Sequence, residues 1–383
     1  MILGEWMSLL AVGFWLTASA LLAVARFSLR EMATVPMAQG NALPWVSVII
    51  PARNEERHLE EALRSVVQLD YPHLEIIVIN DRSTDRTGHI ADQIARQAPR
   101  VRVRHVAELP DGWLGKNHAL HQGAKEAKGK YLLFTDADVL FHPSTLRRAI
   151  RIMEDARLDH LTVIPEDTMP GWVLRVIAAT FGMLMFLLFQ PWRMRYPRSH
   201  KYLGVGAFNL VRARAYWAVG GHRAIALRPD DDMKLAKLFK KHGFRQDVML
   251  GKGLVSVEWY SSVGELIDGL MKNAFAGLDY RLSLVIGGTL VTSMCCLWPW
   301  VGLFFATGWT QVWSGVAVAL MIGSFGYVMA PYGVKPWHSL FMPIAILLLQ
   351  YIQWRAALLA YWTQGITWRG THYPLRALKA NKV

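Results

Sequence analysis

Between Leu282 and Val334 the sequence contains no Asp, Glu, Lys or Arg. So long a run without charge excludes a chain that is soluble throughout, since water-facing surface is where charged side chains collect. Cysteine is nearly absent. The two present, Cys295 and Cys296, are neighbours inside that same run, which excludes a disulfide framework and a zinc site and leaves them as small buried residues. Two glycine signatures are missing as well. No Gly-x-Gly-x-x-Gly follows the first strand pattern, against a dinucleotide-type Rossmann site, and no Gly-x-x-x-x-Gly-Lys-Ser/Thr occurs, which removes a P-loop.

What is there divides the chain in two. Of 383 residues 53% are hydrophobic and sixteen are Trp, with a mean hydropathy of +0.20, yet Arg53 to Arg157 is dense in charge. One part is soluble and one is embedded in lipid. The net charge of +13 fits a protein lying against anionic lipid and handling phosphates; its basic residues are scattered rather than drawn into a stripe, so no nucleic-acid partner is expected.

Trp6 to Ala25 is about the ~20 apolar residues that a helix needs to cross a bilayer. Glu5 precedes it and Arg26 and Arg30 follow, the reverse of a signal peptide's charge order, so residues 1–30 read as an uncleaved anchor in the inner (plasma) membrane with a cytoplasmic domain behind it. Val263 to Tyr280 is amphipathic and is expected on the membrane surface, as an interface helix over residues 263–281. Three apolar segments follow within 282–365: Leu284 to Ala306, Val312 to Ala330 and Leu340 to Trp362. Eight Trp lie beyond residue 280, several near segment ends, where aromatic belts sit. Three crossings would leave the basic tail, residues 366–383, outside, against the positive-inside tendency; either one segment is re-entrant or the rule fails here.

Residues 44–262 carry the soluble pattern. Val46–Pro51, Glu75–Asn80, Val101–Val106 and Tyr131–Val139 read as buried strands, with helical patterns between them, which means an α/β domain with a mostly parallel, Rossmann-like sheet. Polar residues gather after each strand: Asn54 and Glu55, then Asp81, then Lys116 and Asn117, then Asp136 and Asp138. At one strand end this is turn chemistry; at four it describes a cleft. If Asp136 and Asp138 end a strand, they point to one side, and hard oxygen ligands there suit Mg²⁺ or Mn²⁺ holding phosphates. Residues 172–192 form a further apolar run flanked by Arg175, Arg193 and Arg195. A single crossing there would put the two halves of one site on opposite faces, so it reads as an interfacial or re-entrant helix, or else a core helix. Gly204 and Gly206 permit close backbone approach or a tight turn. The run Asp230-Asp-Asp232 opens a helix; one of the three suffices as a cap, and Asp232 is placed to act as a general base.

Taken together, Val46-Ser-Val-Ile-Ile-Pro-Ala-Arg-Asn-Glu-Glu, Ile-Ile-Val-Ile-Asn-Asp-Arg-Ser-Thr-Asp, Gly-Lys-Asn-His-Ala-Leu-His-Gln-Gly, Phe-Thr-Asp-Ala-Asp and Asp-Asp-Met-Lys-Leu resemble the catalytic domain of family 2 glycosyltransferases of the GT-A fold. The layout of the whole chain is similar to the membrane-bound branch that includes hopanoid-associated, carotenoid and ceramide glycosyltransferases. The resemblance implies an inverting enzyme that takes one sugar from a nucleotide-sugar donor, a UDP-sugar, to a membrane lipid or isoprenoid-type acceptor. It implies that Pro51, Asn54, Glu55, Asp81, Lys116, Asn117 and Asp136 face the donor. Asp138, with Asp136, would hold Mg²⁺ or Mn²⁺, and Asp232 would be the base, with Asp231 standing where Glu is usual. Processive members carry Gln-x-x-Arg-Trp after the base. Here Gly269-Leu-Met-Lys-Asn-Ala-Phe stands instead, with Lys272 and Asn273 as stand-ins and Gly204 and Gly206 beside them in acceptor-side roles. That departure favours one sugar over a growing chain. The rival readings are a processive polysaccharide synthase and a non-catalytic membrane protein that binds nucleotide sugars.

Overall fold

The computed structural model describes residues 2–40, 42–329 and 334–383; Ala330, where the second C-terminal segment was expected to end, lies outside them. Its helices are α1 (Ile2–Ser28), α2 (Leu59–Val67), α3 (Thr87–Gln97), α4 (Gly115–Glu126), α5 (Thr145–Asp155), α6 (Trp172–Phe189), α7 (Ala213–Ala218), α8 (Asp231–Lys241), α9 (Val263–Ala274), α10 (Leu282–Thr292), α11 (Trp298–Phe305), α12 (Trp309–Met329), α13 (Met342–Trp362) and α14 (Leu375–Ala380). They group into two compact units. One comprises residues 29–168, 191–259 and 380–383; the other comprises 1–28, 169–190 and 260–379.

The first unit is built on an eight-stranded sheet. Along the chain its strands are β1 (Arg30–Glu31), β2 (Val46–Ala52), β3 (Leu74–Asp81), β4 (Val101–Val106) and β5 (Tyr131–Phe134), then β7 (His160–Ile164), β9 (Asn209–Arg212) and β10 (Gln246–Leu250). Side by side they run β1-β10-β7-β9-β5-β2-β3-β4, parallel except for the reversed β9. β6 (Val139–Phe141), β8 (Glu166–Asp167) and β11 (Val255–Val257) form a separate small sheet. Val48, Ile50, Ile76, Val78 and Leu133 are buried on one face, and Ile49, Ile77, Ile79 and Leu132 on the other, so helices cover both sides. At the opposite end from the polar residues, Glu75 Oε1 accepts hydrogen bonds from Ser47 Oγ (2.5 Å) and Lys128 N–H (2.6 Å), while Arg102 pairs with its other oxygen at 2.7 Å.

Two local expectations change. The strand expected over Tyr131–Val139 is two strands, β5 and β6, so Asp136 and Asp138 stand in the turn between different sheets and not on one strand. β5 stops where its neighbour β9 begins and Thr135 Oγ1 donates to Ala207 O (2.8 Å). Lys116 and Asn117 lie in the first turn of α4, not in the loop before it. Beside the cap position of α3 at Arg86, Asp85 Oδ1 accepts from Thr87 N–H at 3.0 Å.

Among the described residues five helical stretches are long and apolar enough to cross a membrane, all in the second unit but for residues 191–193: Ile2–Ser28, Trp172–Arg193, Leu282–Phe305, Trp309–Val328 and Pro336–Trp362. Between α10 and α11 the helix widens to a π-turn at Ser293–Leu297, and Trp15 Nε1–H donates to the Cys295 carbonyl at 2.8 Å. α9 opens on Ser262, whose Oγ accepts from Glu265 N–H (3.2 Å).

Removing the Glu75 carboxylate leaves a buried Ser47 hydroxyl and the Lys128 amide without their acceptor. Glu75→Ala is therefore expected to lower unfolding stability by about 2–3 kcal/mol, read as an earlier thermal transition of the purified protein; an unchanged midpoint would show that this network does not hold β2 to β3.

Candidate active site

Strand order reverses at β2: β3 and β4 lie on one side of it, and β5, later in the chain, lies on the other. The carboxyl ends of β2, β3 and β5 therefore flank a switch point, where open sheets receive ligands. The sequence supplies polar groups to all three. After β2, Asn54 takes a left-handed backbone (φ 54°); its N–H donates to Ser83 Oγ (3.1 Å) and its Oδ1 accepts from Thr84 N–H (2.8 Å). Pro51 and Glu55 beside it are partly exposed, and Glu55 N–H is held by Thr87 Oγ1 at 2.8 Å.

Asp81 ends β3, buried. Arg82 grips both its oxygens, Nε to Oδ1 at 2.7 Å and Nη2 to Oδ2 at 2.9 Å, and Arg53 approaches to 3.7 Å. A Cβ on Gly115 would lie 2.3 Å from Asp81 Oδ2, so the carboxylate rests against the amino end of α4, where the helix dipole favours negative charge. The two arginines were not singled out from the sequence, although Arg82 sits next to the aspartate it holds.

Lys116 is the centre of the site. Its Nζ lies 2.7 Å from Asp136 Oδ1, in the turn after β5, and 3.5 Å from Asp231 Oδ1, in the first turn of α8. Asp231 is buried and Asp136 is 38% exposed. Burial alone would lower the Lys116 ammonium, but Asp136, Asp231 and Asp232 more than reverse this and hold it protonated. Gly206 makes room for the pair: a Cβ there would stand 2.5 Å from Asp136 Oδ2 and 3.5 Å from Lys116 Nζ. Gly204 is tighter still, because its Cβ would meet the Asp232 carbonyl oxygen at 2.0 Å. Both glycines are thus places of close approach, and they lie beneath the polar centre.

The three aspartates of 230–232 have separate surroundings. Asp230 occupies the cap position of α8 without capping it; its carboxylate is buried against Arg228 (3.0 and 3.1 Å) and Lys234 (3.5 Å). Asp231 pairs with Lys116. Asp232 is half-buried, and its Oδ1 accepts from Met233 N–H at 2.7 Å. Burial, then the Asp231 charge, push the Asp232 carboxyl up to about 7, against the pull of Lys116. Asp138 is raised similarly, to about 7, by burial and by the charges of Asp136 and Glu55. Its Oδ1 is buried with no hydrogen-bond partner among the described residues. Among those residues no group of three or more His, Cys, Asp or Glu is placed to hold a metal unaided.

Asn117 is committed elsewhere: its Nδ2 donates to Ile225, Ala226 and Arg228 carbonyls at 2.8, 3.2 and 2.9 Å, fixing the loop ahead of α8. Lys272 and Asn273 belong to the other unit. There Lys272 Nζ stands 5.1 Å over the Trp368 ring, and Asn273 Oδ1 is buried with no hydrogen-bond partner among the described residues.

Residues 47–220 match the family model described as "Glycosyl transferase family 2". The probable glycosyltransferase YdaM of Bacillus subtilis (strain 168) is 41% identical over 98 residues, which is 25% of this chain and 23% of that relative's length. The 4,4'-diaponeurosporenoate glycosyltransferase of Staphylococcus haemolyticus (strain JCSC1435) is 25% identical over 270 residues, covering 69% of this chain and 70% of its own. Its counterpart in Staphylococcus aureus (strain USA300) is 27% identical over 266 residues, covering 67% and 65%. Among solved structures, a mannosyltransferase from Pyrobaculum calidifontis superposes with a TM-score of 0.55 at 18% identity, over 92% of this chain and 99% of that one, a likeness of fold.

If Lys116 is what allows Asp136 and Asp231 to stand together ionised, Lys116→Met should lose on the order of 2–3 kcal/mol at pH 8, below the full buried-pair cost because Asp136 is partly exposed. Without the cation both carboxyls bind protons more readily, so the deficit should shrink as pH falls to 5. Thermal unfolding of both proteins across that range reads this directly; a deficit independent of pH would mean that the lysine stem, not its charge, matters.

Proposed function

We propose, for a chain that is a family 2 glycosyltransferase of GT-A fold, that it transfers one sugar from a nucleotide-sugar donor, a UDP-sugar, to a lipid acceptor in the membrane, with inversion at the sugar carbon. The observation that carries this reading is the meeting of Lys116 with Asp136 and Asp231 at the switch point of the sheet. A cation there suits a diphosphate, and carboxylates on either side suit a sugar's hydroxyls. Pro51 and Glu55 line the nucleoside. Asp81 keeps acceptor capacity for a base-edge N–H while its arginines hold it still.

Asp138 fits a divalent cation. Its orphaned oxygen and its raised carboxyl are what a bound cation would relieve, with Asp136 as the second source of hard oxygen. With so few protein ligands, Mg²⁺ or Mn²⁺ would share its shell with water and the donor's phosphates. When bound, the ion offsets negative charge on the departing diphosphate. Lys116 offsets the same charge from the protein side. Asp232 takes the proton from the acceptor hydroxyl as its oxygen bonds to the anomeric carbon. The bond from that carbon to the nucleoside diphosphate breaks, and the leaving group carries away the electron pair. Asp231 keeps Lys116 in place.

Five apolar helices and a relative named for 4,4'-diaponeurosporenoate, a carotenoid-type acceptor, support an apolar substrate. The protein is then a multi-pass protein of the plasma membrane with its catalytic unit cytoplasmic. The grouping of residues 29–168, 191–259 and 380–383 in one compact unit supports placing them on one side of the bilayer. α6 leaves that unit and returns to it, which supports the interfacial or re-entrant reading of 172–192. On that placement the crossings between residues 259 and 380 are even in number, which favours one re-entrant segment among the last three and a tail on the cytoplasmic side.

Membranes bearing the protein, incubated with a panel of labelled nucleotide sugars, should pass label from one of them into the organic phase; label found only in long polymer would overturn the single-transfer reading. The base assignment carries a pH signature. Asp232 must be ionised to accept a proton, so kcat should rise as pH climbs through about 7 and then level. Asp232→Asn should bind donor normally and turn over about 10²–10⁴-fold more slowly; a variant that keeps its rate and its pH limb would move the role elsewhere.

A further inference from the structure

The acidic run enters α8 from the loop 224–228, and that loop is held from two sides. Asn117, next to Lys116, binds three of its carbonyls, and Leu114 N–H donates to the Ala226 carbonyl at 2.8 Å. The other side is closed by a residue more than 150 positions further along. Asn381 Oδ1 accepts from Leu227 N–H at 2.9 Å, and its Nδ2 donates to the Ala224 carbonyl at 3.0 Å. One side-chain amide thus supplies a donor and an acceptor to two backbone groups three residues apart, as a neighbouring strand would. A second tether lies beside it: Lys237 Nζ, on α8, donates to the Val383 carbonyl at 2.7 Å, and Val383 packs against the cluster that contains Leu235, Leu238 and Phe239.

We propose that Asn381 is a positioning residue of the active site: it clamps the loop 224–228 against Asn117 and thereby fixes where Asp231 and Asp232 stand relative to Lys116. It touches none of the reacting groups. The need for it is physical. A loop that carries no strand partner of its own leaves backbone groups to be satisfied by side chains or water. A general base misplaced by about 1 Å costs turnover on the order of 10²-fold, and that loss falls on kcat more than on donor KM, which Asp231 shares with Lys116 and the other donor-facing groups. The role in catalysis rests on the reading given above; the clamp itself does not.

The test compares full-length wild type, Asn381→Ala and Lys237→Met in nanodiscs. Hydrogen exchange of the 224–234 segment reads the clamp, and turnover of the labelled nucleotide sugar that the panel selects reads its consequence. Asn381→Ala should speed exchange at Leu227 and at the start of α8 and lower kcat about ten- to a hundredfold with donor KM changed much less than kcat. Lys237→Met, which loosens the same tail without touching the loop, should keep both near wild type. Unchanged exchange in Asn381→Ala overturns the proposal. So does faster exchange with an unaltered kcat, a KM that rises in step with the lost rate, or an equal loss in Lys237→Met. If wild type turns over no sugar in the panel, the functional reading has failed, and the exchange result still decides whether the clamp exists.

Discussion

One ammonium group holds the site together. Lys116 stands in the first turn of a helix, where the dipole disfavours a cation, and it is largely removed from water. Two carboxylates from the ends of distant elements offset both costs, and in return the lysine lets them stand close without repelling each other. The rest of the site is arranged around that exchange. Gly206 has no side chain because the Asp136–Lys116 pair fills the space one would take, and Gly204 lets the backbone at Asp232 come in close. A set of charges in which one cation offsets the repulsion among the rest responds as a set when a phosphate or a cation enters.

The aspartate triplet shows how identical residues in succession acquire different work from their surroundings. Asp230 is bound by Arg228 and Lys234 and ties the loop to α8. Asp231 is bound by Lys116. Asp232 is pushed up to about 7 by burial and by the Asp231 charge, against the pull of Lys116 and the Met233 N–H, which suits it to accept a proton near neutrality. Composition says only that three carboxylates are present; the partner of each decides which holds, which balances and which can accept a proton.

Much of this was legible in the residues. Runs such as Val46–Pro51 and Glu75–Asn80 are apolar on both faces, which only a covered parallel strand tolerates, and the polar residues after them marked the correct edge of the sheet. What escaped is non-local. Nothing in Tyr131–Val139 says that β5 must stop at Phe134, because the reason lies in β9 and in Ala207, about seventy residues away. Arg53 and Arg82 look like ordinary surface charges until Asp81 is seen to be buried beneath them. Asn381 sits in a polar tail of no evident pattern, and only folding brings it to Leu227. Sequence periodicity reports the face of an element; it is silent about what meets that face.

The outermost strand pairing bears on biosynthesis. Arg30–Glu31 pair with Met249–Leu250, at the edge where β1 joins β10. At ribosomal speeds some two hundred residues take about 10–40 s to emerge. Throughout that interval the nascent sheet has an unfinished border. Backbone left open for so long invites pairing with other chains. A border strand of only two residues, both exposed and of opposite charge, offers such a stranger little to grasp.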